Sequence, residues 1–210
     1  FSDYQKVQVG KLQDHPWCLM PSSVKWEGQE EAHYLLPDGL PVPMDAWLEF
    51  LAYVITDGCV TECKKGVEIA QETGPKADKI EECLKKLPFR YKVNYRKPTD
   101  RWKRLSLFRL HGEPLRKIVA GLIGTPEGVK SYQKHLPDFV WTLSKRQMSL
   151  LLDALIFGDG TSTKRHPGST TRVYRTNSKV LSGQVHRLCI TTGHISSVAI
   201  KKSIKPGKWK

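Results

Sequence analysis

Trp47-Leu48-Glu49-Phe50-Leu51-Ala52-Tyr53-Val54-Ile55-Thr56-Asp57-Gly58 and Met148-Ser149-Leu150-Leu151-Leu152-Asp153-Ala154-Leu155-Ile156-Phe157-Gly158-Asp159-Gly160 repeat one pattern, a short and almost wholly apolar run closed by Asp-Gly. The two Asp-Gly pairs lie 102 residues apart. A run that is apolar nearly all round predicts a helix buried on every side. Ala52 and Thr56 are spaced four residues apart, as are Ala154 and Gly158; small residues at that spacing let two helix backbones approach closely. Packed together, the two helices would bring Asp57 beside Asp159. Gly58 and Gly160 fit the left-handed position that ends many helices.

The sequels also repeat. After the first helix, a hairpin is predicted from Val60–Cys63 and Val67–Gln71, then an amphipathic helix over 76–87. After the second come Thr161–Lys164, Arg172–Thr176 and a helix over 178–192. A further strand, Arg104–Leu110, and a closing helix, Glu113–Ile123, complete the first set. The second stops at Lys210, where its last strand and helix are expected. The predicted class is therefore α+β, with boundaries at 1–44, 45–135 and 136–210.

An acid at a helix C-terminus opposes the helix dipole, and two brought together repel each other. A cation between them removes both penalties. With only oxygen ligands in view, Mg²⁺ is the natural occupant. Carboxylates holding divalent metal beside a basic surface describe a phosphodiester-cleaving centre. Taken singly, each Asp-Gly is an ordinary helix stop.

The charge distribution fits a polyanionic partner. The 210 residues carry 34 Lys+Arg against 21 Asp+Glu, a net +13. Residues 1–44 are net −3, whereas residues 161–210 carry 11 basic and no acidic side chains. Arg90–Leu110 alone holds 8 basic residues against Asp100. Phe89–Arg96 alternates strictly, placing Arg90, Lys92, Asn94 and Arg96 on one face of a predicted strand. That face is either a solvated sheet surface or, joined to other basic strands, a nucleic-acid platform. Weaker alternation extends to Ser196–Lys202, with Val198 and Ile200 facing inward.

The composition excludes other classes. With 39% hydrophobic and 9% aromatic residues the chain is not wholly disordered. No stretch approaches the ~18 consecutive apolar residues of a membrane span. Cys18, Cys59, Cys63, Cys83 and Cys189 form an odd, scattered set, read as reduced thiols of a cytosolic setting. The single CxxxC pair, Cys59 and Cys63, has no partner pair at zinc-ligand spacing. Phe1-Ser2-Asp3-Tyr4 carries no secretion signal pattern, so no export is expected. None of the seven histidines forms an evident nucleophile–base pair.

Phe50–Gly58 and Leu152–Gly160 resemble the two dodecapeptide motifs of the LAGLIDADG homing endonucleases, in the degenerate form found among intein-embedded enzymes. Leu35-Leu36-Pro37, Pro137-Asp138-Phe139-Val140-Trp141, Leu143-Ser144-Lys145, Gly158–Ser162 and Tyr174–Lys179 share the resemblance, which covers about residues 45–205. It implies two αββαββα units related by a pseudo-twofold axis, forming a saddle over double-stranded DNA, the second unit incomplete. Asp57 and Asp159 match the metal-binding acids, assisted by the backbone carbonyls of Thr56 and Gly158. They would share two or three Mg²⁺ ions and each serve one strand of a double-strand break with 3′ overhangs. Gln71 matches a residue that positions the attacking water, with Thr176 and Asn177 as counterparts. Lys103, Arg104, Arg109, Lys164, Arg165, Arg172, Arg175, Lys201 and Lys202 join the Phe89–Arg96 strand as DNA-binding residues. Arg109, His111, Lys201 and Lys202 are candidates for the peripheral basic residue. A monomer acting wherever the host DNA resides is implied.

This sequence departs from the family pattern in places. Ile55 and Phe157 stand where an acid is often found. Residues 1–44 are a linker, packing arm or remnant of a splicing domain, with Asp14-His15-Pro16 where a splicing histidine could sit. Leu12 replaces the usual Thr, and neither an N-terminal Cys or Ser nor a terminal His-Asn is present, so splicing is not expected. A nucleic-acid-binding maturase or regulator without cleavage is the alternative.

Overall fold

The computed structural model describes residues 24–61, 65–98, 104–125, 129–166 and 169–200. Lys103, Lys201 and Lys202 fall outside them, as do Cys18, Cys63 and the Asp14–Pro16 segment. A short hairpin, β1 (His33–Leu35) and β2 (Pro41–Pro43), leads into α1 (Met44–Asp57). Then follow β3 (Gly58–Thr61), β4 (Gly66–Glu72), α2 (Pro75–Lys85), β5 (Tyr91–Arg96), β6 (Leu105–His111) and α3 (Glu113–Ile123). A 3₁₀ turn at Asp138–Thr142 precedes α4 (Lys145–Asp159), β7 (Gly160–His166), β8 (Ser169–Tyr174) and α5 (Lys179–Thr192). Each Asp-Gly helix is followed by β-β-α, and every pairing between these strands is antiparallel.

α1 forms the centre because it has no polar face to spare. Trp47, Leu48, Phe50, Leu51, Ala52, Tyr53, Val54 and Ile55 are all buried. The four-stranded sheet, ordered β3-β4-β6-β5, supplies one wall of this core through Val67, Ile69, Phe108 and Leu110. α4 packs directly on α1, with Met148, Leu151, Leu152, Ala154 and Leu155 buried. Burial of each leucine or methionine there stabilises by about 1.5–3 kcal/mol. α4 is not buried on every side as its sequence predicts: Asp153 is exposed and Leu150, Ile156 and Phe157 are half-buried. Among the described residues its half contributes only the two strands β7 and β8, too few to cover the outer side of α4.

The helix ends differ from expectation in a second way. Gly58 and Gly160 are extended, with φ of −94° and −96°, rather than left-handed. Each helix runs straight into a strand that doubles back over its own last turn. A Cβ at Gly58 would sit 2.4 Å from Val54 Cα, and one at Gly160 2.4 Å from the Ile156 carbonyl oxygen. Close backbone approach, not a positive φ, demands glycine there.

Two strand boundaries also change. β8 ends at Tyr174, and the Thr176 hydroxyl accepts a hydrogen bond from the Ser178 N–H, turning the chain into α5. Residues 196–200 form no strand, and Val198 and Ile200 are 50% and 85% exposed rather than inward-facing. Alternation without a neighbouring strand has no ladder to join.

The described part of the first 44 residues packs against the start of α4. Trp26 Nε1 donates to the Leu143 carbonyl at 2.8 Å, and Gln147 Nε2 donates to the Glu31 carbonyl at 2.6 Å. Arg146 bridges Glu30 to Asp45 in the first turn of α1, so one guanidinium ties both helix N-termini to this segment.

Candidate active site and nucleic-acid face

The packing of α1 on α4 determines where the two acids meet. Thr56 and Gly158 lie directly against each other: a Cβ on Gly158 would stand 2.3 Å from Thr56 Oγ1 and 2.5 Å from its Cβ. Ala52 and Ala154, one turn earlier, are buried at 0% and 4% exposure. Thr56 and Gly158 thus form a tight contact, and the following residue on α1 and on α4 is an aspartate.

Asp57 and Asp159 are close enough for each to feel the same two lysines. Burial pushes the Asp57 carboxyl above the usual carboxylate range, opposed by the Thr56 hydroxyl, Lys76 and Lys134. Burial also raises Asp159, and the charge of Asp57 raises it further. Thr56 Oγ1 donates to Asp57 Oδ2 at 3.1 Å while also reaching the Ala52 carbonyl. Asp57 is half-buried and Asp159 exposed; two acids repelling each other at helix C-termini form an electronegative centre.

Lys134 and Lys76 carry no signal in the sequence. The Lys134 ammonium donates to the Ile55 carbonyl at 2.5 Å and to the Gly58 carbonyl at 3.3 Å, at the end of α1. Burial pulls its pKa down, while Asp159 and Asp57 hold it up. Lys76, from α2, donates to the Gly158 carbonyl at 3.0 Å, at the end of α4. Lys134 lies 79 residues from Ile55 and Lys76 lies 82 from Gly158, so no local pattern announces either. Tyr174 opens a stretch that carries the resemblance, but the sequence assigns it no role at the site. Among the described residues its buried hydroxyl has no hydrogen-bond partner, and the negative field of Asp159 and Asp57 raises its pKa after burial itself.

These groups suit a hard divalent cation. The available donors are two carboxylates and backbone oxygens, the set Mg²⁺ prefers, and the orphaned Tyr174 hydroxyl leaves a polar vertex for a hydrating water to satisfy. Among the described residues no group of three or more His, Cys, Asp or Glu side chains gathers, so the remaining ligands would come from backbone, water or substrate. The Gly158 carbonyl is already held by Lys76.

The other catalytic candidates sit less centrally. Gln71 is near the end of β4, on the row shared with Ser106 and Tyr95, and its amide oxygen accepts from the Glu72 N–H. The Thr176 hydroxyl serves the turn into α5, and Asn177 is exposed.

The sheet register sorts the basic residues by face. Opposite residues across an antiparallel ladder share a face. Val67, Ile69, Phe108 and Leu110 face the helices. The alternate set, with Cys59, Glu68, Arg109 and Lys92 in one row, Asn94 opposite Leu107, and Arg96 opposite Leu105, faces away. Arg90 precedes β5 in the same alternation and is exposed. An open groove of about 790 Å³ lies among Phe89, Arg90, Tyr91, Lys92 and His111.

Two of the residues expected to bind DNA do not join this outward set. Arg104 stacks over the Tyr95 ring at 4.7 Å, on the helix-facing alternation, because Tyr95 pairs with Ser106. Arg172 shares its alternation with Tyr174 and bends back onto α4, donating to Asp153 at 2.6 Å, with His194 at 3.0 Å. Lys164 and Arg175 are exposed; Arg165 lies in β7.

No protein-family model matches the chain. In sequence it is 26% identical over 170 residues to the ATP-dependent Clp protease proteolytic subunit of Chlamydomonas moewusii, across 75% of this chain and 15% of that protein. The chain thus spans a small fraction of that relative's length. In structure it is similar to the homing endonuclease I-WcaI bound to its DNA recognition sequence, with a TM-score of 0.37 and 10% identity, over 61% of this chain and 56% of that one. A likeness at that level decides nothing about activity, and function has to be read from the site.

Proposed function

We propose that this chain is a metal-dependent, sequence-recognising DNA endonuclease. Its outward sheet face grips double-stranded DNA, and the Asp57–Asp159 centre cuts both strands to leave 3′ overhangs. The observation that carries this reading is the meeting of two acids, Asp57 half-buried and Asp159 exposed, from helices 102 residues apart in sequence, beside a sheet whose outward face bears Arg90, Lys92 and Arg96. Holding two like charges together at helix C-termini without function is unfavourable, and a fold built only for binding has no need of them.

Asp57 and Asp159 would hold Mg²⁺, with the Thr56 carbonyl beside them; two or three ions shared between the acids fit one cut per strand. When bound, Mg²⁺ supplies Lewis acidity toward the phosphodiester and lowers the pKa of water. Lys134 and Lys76 keep the two helix ends in place and set positive charge where phosphate enters. Gln71, with Thr176 and Asn177 in the second half, would orient water near the acids. Because one chain carries both acids, a monomer suffices.

A second reading has its own support. Lys134 and Lys76 already counter the two carboxylates, as they would in a protein that binds nucleic acid without cutting it.

The deciding experiment is a Mg²⁺-dependent cleavage screen on the DNA flanking the gene's own insertion point, with that junction rejoined. Double-strand cutting by the native chain, abolished by Asp57→Asn or Asp159→Asn with binding retained, supports the endonuclease. Binding with no cutting in Mg²⁺ or Mn²⁺ supports the second reading.

A further inference from the structure

We infer that Arg109 is a guanine-reading residue and that Glu68 is the group that positions it; this rests on the outward sheet face being a DNA platform. Arg109 lies in β6 between Glu68 on β4 and Lys92 on β5, all on the outward alternation. Its Nε donates to Glu68 Oε2 at 2.6 Å. The Glu68 side chain is 9% exposed and that of Arg109 39%, so a buried carboxylate holds the stem end of a guanidinium whose far edge reaches solvent. Two residues along β6 on the same face, Leu107 is 3% exposed yet lies outside the helix-side core. Glu68, Arg109 and His111 line a groove of about 190 Å³ on this face.

The chemistry separates Arg109 from its neighbours. A phosphate contact works by releasing counterions, which calls for an uncompensated charge on a mobile stem. Lys92 and Arg96 are exposed and suit that task. Arg109 has its charge compensated locally, which weakens it as a phosphate anchor. An arginine fixed through Nε presents its terminal N–H groups as a rigid fork, the geometry that matches O6 and N7 of guanine in the major groove. A residue held by a buried partner also loses little rotamer freedom on binding. Cytosine presents a donor at the equivalent edge, and the fork has no acceptor for it.

The test is selection of the full chain on a library of random-sequence duplexes, comparing native protein with Arg109→Lys, Glu68→Gln and Lys92→Ala, each first checked for cooperative unfolding. The native chain should enrich one position for guanine. Arg109→Lys and Glu68→Gln should relax that position alone by roughly tenfold, leaving other positions and the salt dependence as they were. Lys92→Ala should weaken all sequences alike and reduce the salt slope by about one. Unchanged preference in Arg109→Lys, or a reduced salt slope with preference intact, overturns the assignment while leaving the endonuclease reading standing. Absence of duplex binding by the native chain overturns both. Should Glu68→Gln unfold, Arg109→Lys by itself decides base reading, and Glu68→Asp decides the positioning role by restoring the preference in part or failing to.

Discussion

Thr56 and Gly158 touch across the α1–α4 pair so closely that a single methyl at 158 would stand 2.3 Å from the threonine hydroxyl oxygen. Because the aspartates follow these helix ends, this contact fixes how near the acids come. Gly158→Ala should destabilise the fold by about 1–3 kcal/mol through overpacking. Thr56→Ala should not rescue it, since the Cβ of residue 56 is itself 2.5 Å away, whereas Thr56→Gly should recover part of the loss. Denaturant titration of the single and double variants measures this; simple additivity would mean the contact is not shared.

Both site carboxyls have pKa values raised in the folded state by partial desolvation, and Asp159 additionally by Asp57. A raised acid favours the fold while protonated, and that contribution is lost as pH rises through the folded pKa. At neutral pH the ionised pair therefore opposes folding. Asp57→Asn and Asp159→Asn should raise Tm at pH 7, with the gain shrinking as pH falls toward the ordinary value of 3.8. Thermal melts across pH check this, and equal Tm values at pH 7 would mean that the acids do not repel.

Added Mg²⁺ should act on the same balance. It should raise the Tm of the native chain and leave that of an Asp57→Asn/Asp159→Asn variant unmoved, because a ligand stabilises only the state that binds it. An equal rise in both proteins would place the ion elsewhere. The readout is independent of cleavage.

Lys134 satisfies carbonyls at the end of α1 from a segment far along the chain. Lys134→Met keeps the stem and removes the donors, leaving partly buried carbonyls unsatisfied. A loss of about 1–3 kcal/mol in denaturant titration is expected, together with reduced cleavage and retained duplex binding. A variant as stable and as active as the native chain would remove Lys134 from the site.

The basic residues should divide by face. Arg96→Ala should lower duplex affinity and reduce the slope of log affinity against log salt by about one. Arg172→Ala should leave that slope unchanged, because Asp153 and His194 already engage its guanidinium on the helix side. Equal losses in the two variants would contradict the register.

Much of this was legible in the chain because its signals are local. The repeated apolar runs ending in Asp-Gly specify α1 and α4, the alternation in Phe89–Arg96 specifies an amphipathic strand, and the small residues at 52, 56, 154 and 158 indicate close helix packing. Periodicity reports what a side chain must do relative to its own backbone. It does not report what arrives from elsewhere. The sequence alone could not show Lys134 at the end of α1, Lys76 at the end of α4 or the orphaned Tyr174 hydroxyl, because each depends on segments brought together across the fold. Nor could it show that Arg172 pairs with Asp153 of α4, that Glu68 holds Arg109, or that Gly58 and Gly160 are required by close approach rather than by a left-handed turn. The elements and the two acids were set by short-range pattern; the partners and surroundings of those acids were decided by packing, which joins residues that share no neighbourhood in the chain.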